Sequence, residues 1–264
     1  MSNPLPAPVS VQLIGGPTAV IEIGGVRLLT DPTFDPPRTI EESGVPVVTK
    51  FRGPALLPGQ LGPIDAVLLS HDLHPDNLDD AGRAYLSGAA AVLTTLDGAS
   101  RLGGSARGLA PWDSVTLPMP GGGLLEITAL PAQHGPGPDA ELTSGPVIGF
   151  LLRPPGGPAV YVSGDNASLQ VVAQIVERAG SPEISVLFTG GASLPFLFGG
   201  DFVTLTAGQA AEAAVLLGSR AVIPVHLNGW SHYTDDEQSV AAAFQARHAA
   251  DRLRLLQPGE LVWL

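Results

Sequence analysis

Val67-Leu68-Leu69-Ser70-His71-Asp72-Leu73-His74-Pro75-Asp76-Asn77-Leu78-Asp79 is the stretch on which the reading of this chain turns. An apolar run from Ala66 to Leu69 breaks at Ser70, and His71, Asp72, His74, Asp76 and Asn77 then fall close together. Two of the chain's 6 histidines are here. Imidazoles and carboxylates crowded at a strand end are a donor set for a zinc-like ion. The plainer alternative is a polar turn in which Asp76 or Asp79 caps the next helix.

Three more apolar runs end on the same kind of residue. His134 follows Leu124–Leu130, Asp165 follows Ala159–Val162 in Tyr-Val-Ser-Gly-Asp-Asn, and His226 follows Ala221–Val225. Singly, each reads as a turn residue or a satisfied histidine. Together they form a pattern, because parallel strands bring their C-terminal ends to one edge, where ligands gather. His232 lies near enough to His226 in sequence to line the same cleft, with Trp230 and Tyr233 beside it, whereas His248 falls in a polar helix and reads as solvated.

Composition sets limits on function. A net charge of −12 with a single lysine, Lys50, argues against a nucleic-acid backbone as partner. With Cys 0 there are no disulfides and no thiolate ligands, so any ion is held by His, Asp, Glu or Asn. The segment Met-Ser-Asn-Pro-Leu-Pro-Ala-Pro lacks the basic and apolar regions of a signal peptide. No apolar run reaches the ~18 residues of a membrane helix. The expectation is a cytoplasmic protein with a small-molecule substrate and no stable membrane insertion.

The periodicity predicts strands at Val11–Ile14, Ala19–Ile23 and Val26–Thr30, the last two joined at Gly24-Gly25 as a hairpin. Further strands are expected at Asp65–Leu69, Ala91–Thr95, Leu124–Leu130, Val147–Leu152, Ala159–Val162, Ile184–Phe188, Ala221–Val225, Arg254–Leu256 and Leu261–Leu264. Helices are expected over Leu78–Leu86, from a Ser168 cap to Ala179, and from a Thr206 cap to Leu217. A last helix to Ala249 starts from Thr234 and Glu237 at capping-box spacing. Segments 34–63, 101–122 and 135–146 read as long surface loops. Hairpins first and alternating strands and helices later fit an α/β fold of two packed sheets with outer helices, in one domain over residues 1–264.

The ordered set strand-His-x-x-His-x-Asp, then His, then Gly-Asp, then a final strand-His resembles the metallo-β-lactamase superfamily, and within it the branch of ascorbate-6-phosphate lactonases and N-acyl-phosphatidylethanolamine phospholipase D. Gly15-Gly16-Pro17-Thr18-Ala19-Val20-Ile21-Glu22 is similar to that branch's opening, and Leu29-Thr30-Asp31-Pro32 to its Leu-Thr-Asp-Pro turn. The resemblance implies an αββα sandwich with one or two divalent ions in the groove between the sheets, zinc first, manganese or iron otherwise. It implies His71, His74 and His134 on a first ion, Asp76 and His226 on a second, and Asp165 bridging. It also implies hydrolysis of a small ester, lactone or phosphodiester-like bond by a water activated on the metal, with Asp76 and Asp165 as catalytic carboxylates. Homo-oligomers are common in the family.

The chain departs from the family pattern at three positions. One residue is inserted after His71, leaving Leu73 where a histidine is expected and Asp72 as a reserve ligand. Asn77 replaces a second-ion histidine, and Gly16 replaces the histidine of the opening. These departures put the second site in question. They keep open non-hydrolytic chemistry on the same fold (elimination, ring-opening or oxidation) or a non-catalytic binding role. The apolar loop residues around Phe196, with Trp230 and His232, are the candidate substrate contacts, and Arg38 and Arg52 are candidate anion contacts.

Overall fold

A computed structural model describes residues 7–41, 47–195 and 197–264. The first half contains β1 (Val9–Gly15), β2 (Thr18–Ile23), β3 (Val26–Thr30), β4 (Arg38–Ile40), β5 (Val48–Lys50), β6 (Ala66–Leu68), α1 (Asp80–Leu86), β7 (Val92–Thr95) and α2 (Leu96–Leu102). Next come β8 (Ala106–Leu109), β9 (Ser114–Pro118), β10 (Leu124–Pro131), α3 (Glu141–Ser144), β11 (Ile148–Arg153) and β12 (Val160–Val162). The chain ends with α4 (Leu169–Ala179), β13 (Ile184–Phe188), α5 (Ala207–Leu217), β14 (Ala221–Val225), α6 (Glu237–Ala246) and β15 (Leu261–Trp263). One sheet has the order β15-β1-β2-β3-β6-β7-β8 and the other β14-β13-β12-β11-β10-β9, while β4 and β5 form a separate hairpin. No described helix is long and apolar enough to cross a membrane.

Alternation along the strands explains the layers. In β13, Ile184, Val186 and Phe188 join the core shared by both sheets, while Leu187 faces the helical layer. In the three-residue β6 and the residue after it, Ala66 and Leu68 face that shared core, and Val67 and Leu69 face the outer cluster that includes Leu78 and Leu86. Strands covered on both faces read as near-continuous apolar runs, which is how they appear in the sequence. The αββα expectation is met: α4, α5 and α6 pack on one outer face and α1 on the other.

Direction matters more than order for the site. Strands β12, β13 and β14 are mutually parallel. Two antiparallel steps separate β10 from β12, which restores the direction of β10. The ends of β10, β12 and β14 therefore reach one edge. Strands β3 and β6 are also parallel, so Asp31 and Ser70 emerge side by side.

Several expectations need correction. The loops at 34–63 and 101–122 contain β4, β5, β8 and β9, strands of only 3 to 5 residues set among prolines and glycines. Asp236, not Thr234, caps α6, in a box with Ser239. The Thr234 hydroxyl instead donates to the Gly191 carbonyl. Helix α6 stops at Ala246, and His248 then takes φ 54°, which ends the helical path. Arg254–Leu256 is not a strand: Leu253 makes one bridge to Val222 before the chain departs. Helix α1 starts at Asp80 behind an Asp79 cap, because residues 75–78 form the turn that carries the site.

Candidate metal centre

His71 leaves the end of β6 fully buried, and a turn in which Asn77 and Leu78 donate backbone N–H to the His74 carbonyl brings His74 beside it. His74 Nδ1 lies 2.8 Å from His71 Nε2 and 3.1 Å from His134 Nε2. His134 arrives from β10, and Asp165 Oδ2 is 3.6 Å from His134 Nε2. Asp165 follows Gly164 at φ 57°, where a Cβ would stand 2.6 Å from the Ile148 carbonyl oxygen. Donor atoms of His71, His74, His134 and Asp165 all lie within 4.8 Å of one another.

The tautomers follow from the surroundings. The Ser70 hydroxyl donates to Asp31 Oδ2 (2.6 Å), so its oxygen accepts from His71 Nδ1 (2.9 Å). His134 Nδ1 donates to the Val203 carbonyl (2.7 Å). Both Nε2 atoms are therefore bare lone pairs, and both face His74 Nδ1, which carries at most one hydrogen. One buried lone pair is left over, and a cation is what this arrangement lacks. Burial, then the neighbouring imidazoles, push His71 well below its ordinary pKa. Burial and His74 take His134 to about 3, so these rings are neutral and fit to ligate. Burial, with Asp76 and Asp31 adding to it, raises Asp165 to about 7. A cation would lower it again. The donors present fit a divalent ion.

Asp31 organises this half. It accepts from Ser70 N (2.6 Å), Ser70 Oγ and Asn77 Nδ2 (3.0 Å). Burial raises its carboxyl to about 6 against those hydrogen bonds. The sequence pointed to Asp31 only through the Leu-Thr-Asp-Pro turn, because its role depends on parallel pairing of β3 with β6. Asp72, the reserve ligand, is not brought to the cluster. Its carboxylate is paired with Arg101 at 2.6 and 2.9 Å.

A second group sits alongside. Asp76 Oδ2 accepts from His232 Nε2 (2.9 Å) and the Tyr233 hydroxyl (3.1 Å), and His226 Nε2 is 2.8 Å from that hydroxyl. His226 Nε2 is also 3.3 Å from Asp76 Oδ2 and 3.5 Å from Asp165 Oδ1. His226 takes φ 55° and donates its N–H to the Gly16 carbonyl (2.8 Å). Gly190 packs against the His226 carbonyl and the Tyr233 ring, where a Cβ would overlap the carbonyl oxygen. Burial alone would raise Asp76, but His232 and His226 hold it well below the usual carboxylate range. Asn77 Nδ2 reaches Asp165 Oδ1 (3.2 Å) as well as Asp31.

A pocket of about 350 Å³ opens onto both groups. His74, Asp76, His134 and His232 form its polar floor, and Ile40, Val48, Leu73, Leu194, Leu197 and Val203 are among its walls. Trp230 is not part of the lining; it is buried behind with Ile40 and Val48. Phe196 lies outside the described residues. Arg38 pairs with Asp35 and Asp80, and Arg52 lines a different crevice. Tyr233, which the sequence placed beside His232 at the cleft, lies within the second polar group.

The chain is similar to known proteins over most of its length. The chain is 29% identical over 252 residues to a UPF0173 metal-dependent hydrolase of Opitutus terrae, covering 92% of this chain and 94% of the relative. It is 24% identical over 260 residues to one of Caldivirga maquilingensis, covering 96% of each. The crystal structure of an isothiocyanate hydrolase from Delia radicum gut bacteria shares the fold, with a TM-score of 0.80 at 18% identity and coverage of 96% of this chain and 98% of that one. Residues 26–227 match the family model described as the beta-lactamase superfamily domain. That span holds β3 through His226, and so every strand end of the first donor cluster, and the chain accordingly belongs to the metallo-β-lactamase superfamily.

Proposed function

We propose that this metal-dependent hydrolase cleaves a small, uncharged, apolar ester or lactone. The carrying observation is the pocket: an apolar-walled space of about 350 Å³ with no Lys or Arg among the described residues of its lining, opening directly onto convergent histidines and carboxylates. Its size lies in the range of small-ligand sites. A phosphodiester carries a charge that such walls leave unpaired, at a cost that argues against it. His71, His74, His134 and Asp165 would hold the ion, and their three-nitrogen, one-oxygen set favours zinc while accepting manganese or iron. When bound, that ion supplies a lowered water pKa and polarisation of the scissile carbonyl.

The chain's own residues supply the remaining steps. Asp76, ionised on the pocket floor, is fixed through Oδ2 by His232 and Tyr233, which leaves its other carboxylate oxygen to accept a proton. Asp31, Ser70 and the Val203 carbonyl hold the histidine rings in register. The apolar walls exclude water and grip the acyl chain.

The test is a series of nitrophenyl esters and lactones of increasing chain length, with a nitrophenyl phosphodiester and an aliphatic isothiocyanate alongside. kcat/KM should rise roughly fourfold per methylene, the equivalent of the ~0.8 kcal/mol gained by burying one. A preference for the phosphodiester would overturn the reading.

A further inference from the structure

We propose that this chain holds a single metal ion, in the His71, His74, His134 and Asp165 cluster, and that the Tyr233 hydroxyl closes the neighbouring position by bridging His226 and Asp76. This rests on the metal-dependent reading above and fixes how many ions that reading requires.

Hydrogen counting separates the two positions. In the first, two bare Nε2 lone pairs face one nitrogen with at most one hydrogen. In the second, the hydrogens and acceptors match. His232 Nε2–H and the Tyr233 O–H both donate to Asp76 Oδ2, and His226 Nε2–H donates to the Tyr233 oxygen. Each short contact then carries one hydrogen, and no lone pair among these atoms is left facing another.

The outer partners point the same way. A histidine that binds metal almost always donates its other ring N–H to an acceptor. His71 and His134 do so, to Ser70 and Val203. His226 and His232 do not: Nδ1 of each is buried with no partner among the described residues. Ligating through Nε2 would put the hydrogen on Nδ1 and leave a buried donor unsatisfied.

Asn77 adds a third observation. Its Nδ2 donates to both Asp31 and Asp165, and the reverse orientation would set an amide oxygen against two carboxylates. The amide oxygen is therefore turned away, buried and unpartnered, and is not offered to an ion. Among the described residues, His71, His74, His134 and Asp165 bring ligand atoms within 4.8 Å of one another.

The test is metal counting. The protein is saturated with zinc, desalted and analysed for zinc per chain, and its apoprotein is titrated with cobalt(II) followed by absorbance. One equivalent and a single break at one equivalent are expected for the unaltered chain. His134→Ala should hold none and His226→Ala should keep one. Tyr233→Phe, which removes the bridging hydroxyl, should rise toward two. Circular dichroism checks folding, and His71→Gln replaces His134→Ala if the latter does not fold. Two equivalents in the unaltered chain overturn the inference, as does loss of the ion in His226→Ala with retention in His134→Ala. A Tyr233→Phe protein that stays at one removes Tyr233 from its assigned role. No zinc and no cobalt overturn the metal-dependent reading itself, and the inference with it.

Discussion

The two polar groups on the pocket floor are built from the same residue types, yet they differ in what they leave unsatisfied. Around His71 and His134 the outer hydrogen bonds run away from the cluster: Ser70 and Val203 take the Nδ1 hydrogens, so bare Nε2 atoms converge on His74. Around Asp76, His226 and His232 each short contact already carries one hydrogen aimed at an acceptor, and the Nδ1 atoms are orphaned. Histidines and aspartates at strand ends are therefore not by themselves a sufficient sign of a metal centre. The partner of the far ring nitrogen is what separates His71 and His134 from His226 and His232.

The largest expected effect breaks the first group. Asp165→Ala should abolish bound metal and lower kcat by about three orders of magnitude or more, since the water would then have to react unactivated. Metal analysis and circular dichroism should show a folded, empty protein. Asp76→Asn attacks the second group instead. It should keep its ion and lose about 100-fold in kcat, the size of a general-base contribution. A loss of metal on that substitution would merge the two groups into one site.

The outer layer should give a middle-sized effect. Asp31→Asn leaves every first-cluster donor in place but loosens Ser70 and Asn77, and should weaken metal affinity roughly 10- to 100-fold. Competition with a chromophoric chelator measures it. The pH dependence sharpens the same point. Asp165 has its pKa raised to about 7 in the metal-free protein, so below that pH an ion must displace its proton. Affinity should fall about fivefold between pH 7 and 6 and level off above about pH 8. The neutral His71 and His134 add no protons to that slope, because their pKa values lie far below it. Calorimetry in buffers of different ionisation enthalpy counts the proton released, and a flat profile would move the carboxylate out of the site.

The smallest effect concerns Asp72. Asp72→Asn should leave metal content and kcat unchanged and cost about 1–2 kcal/mol of stability through the lost Arg101 contact, visible as a few degrees in the melting temperature. A drop in bound metal would return Asp72 to the ligand set.

The sequence by itself determined the layers and the strand ends. Apolar runs of alternating facing, Gly24-Gly25 between β2 and β3, and the Ser168, Thr206 and Gly218 punctuation are local signals, and the structure keeps them. His71, His74, His134 and Asp165 were visible because each stands at the end of such a run. The tertiary structure alone decided what those residues face. Asp31 serves the site through pairing of β3 with β6, Val203 through a carbonyl 69 positions from His134, and Arg101 draws Asp72 away from it. Tyr233 bridges His226 and Asp76 only because Gly190 lets its ring lie against the turn after β14. Spacing along a chain fixes which residue types reach an edge; the directions of their hydrogens are set by partners far away in sequence, and those directions divide a metal centre from a hydrogen-bonded cluster.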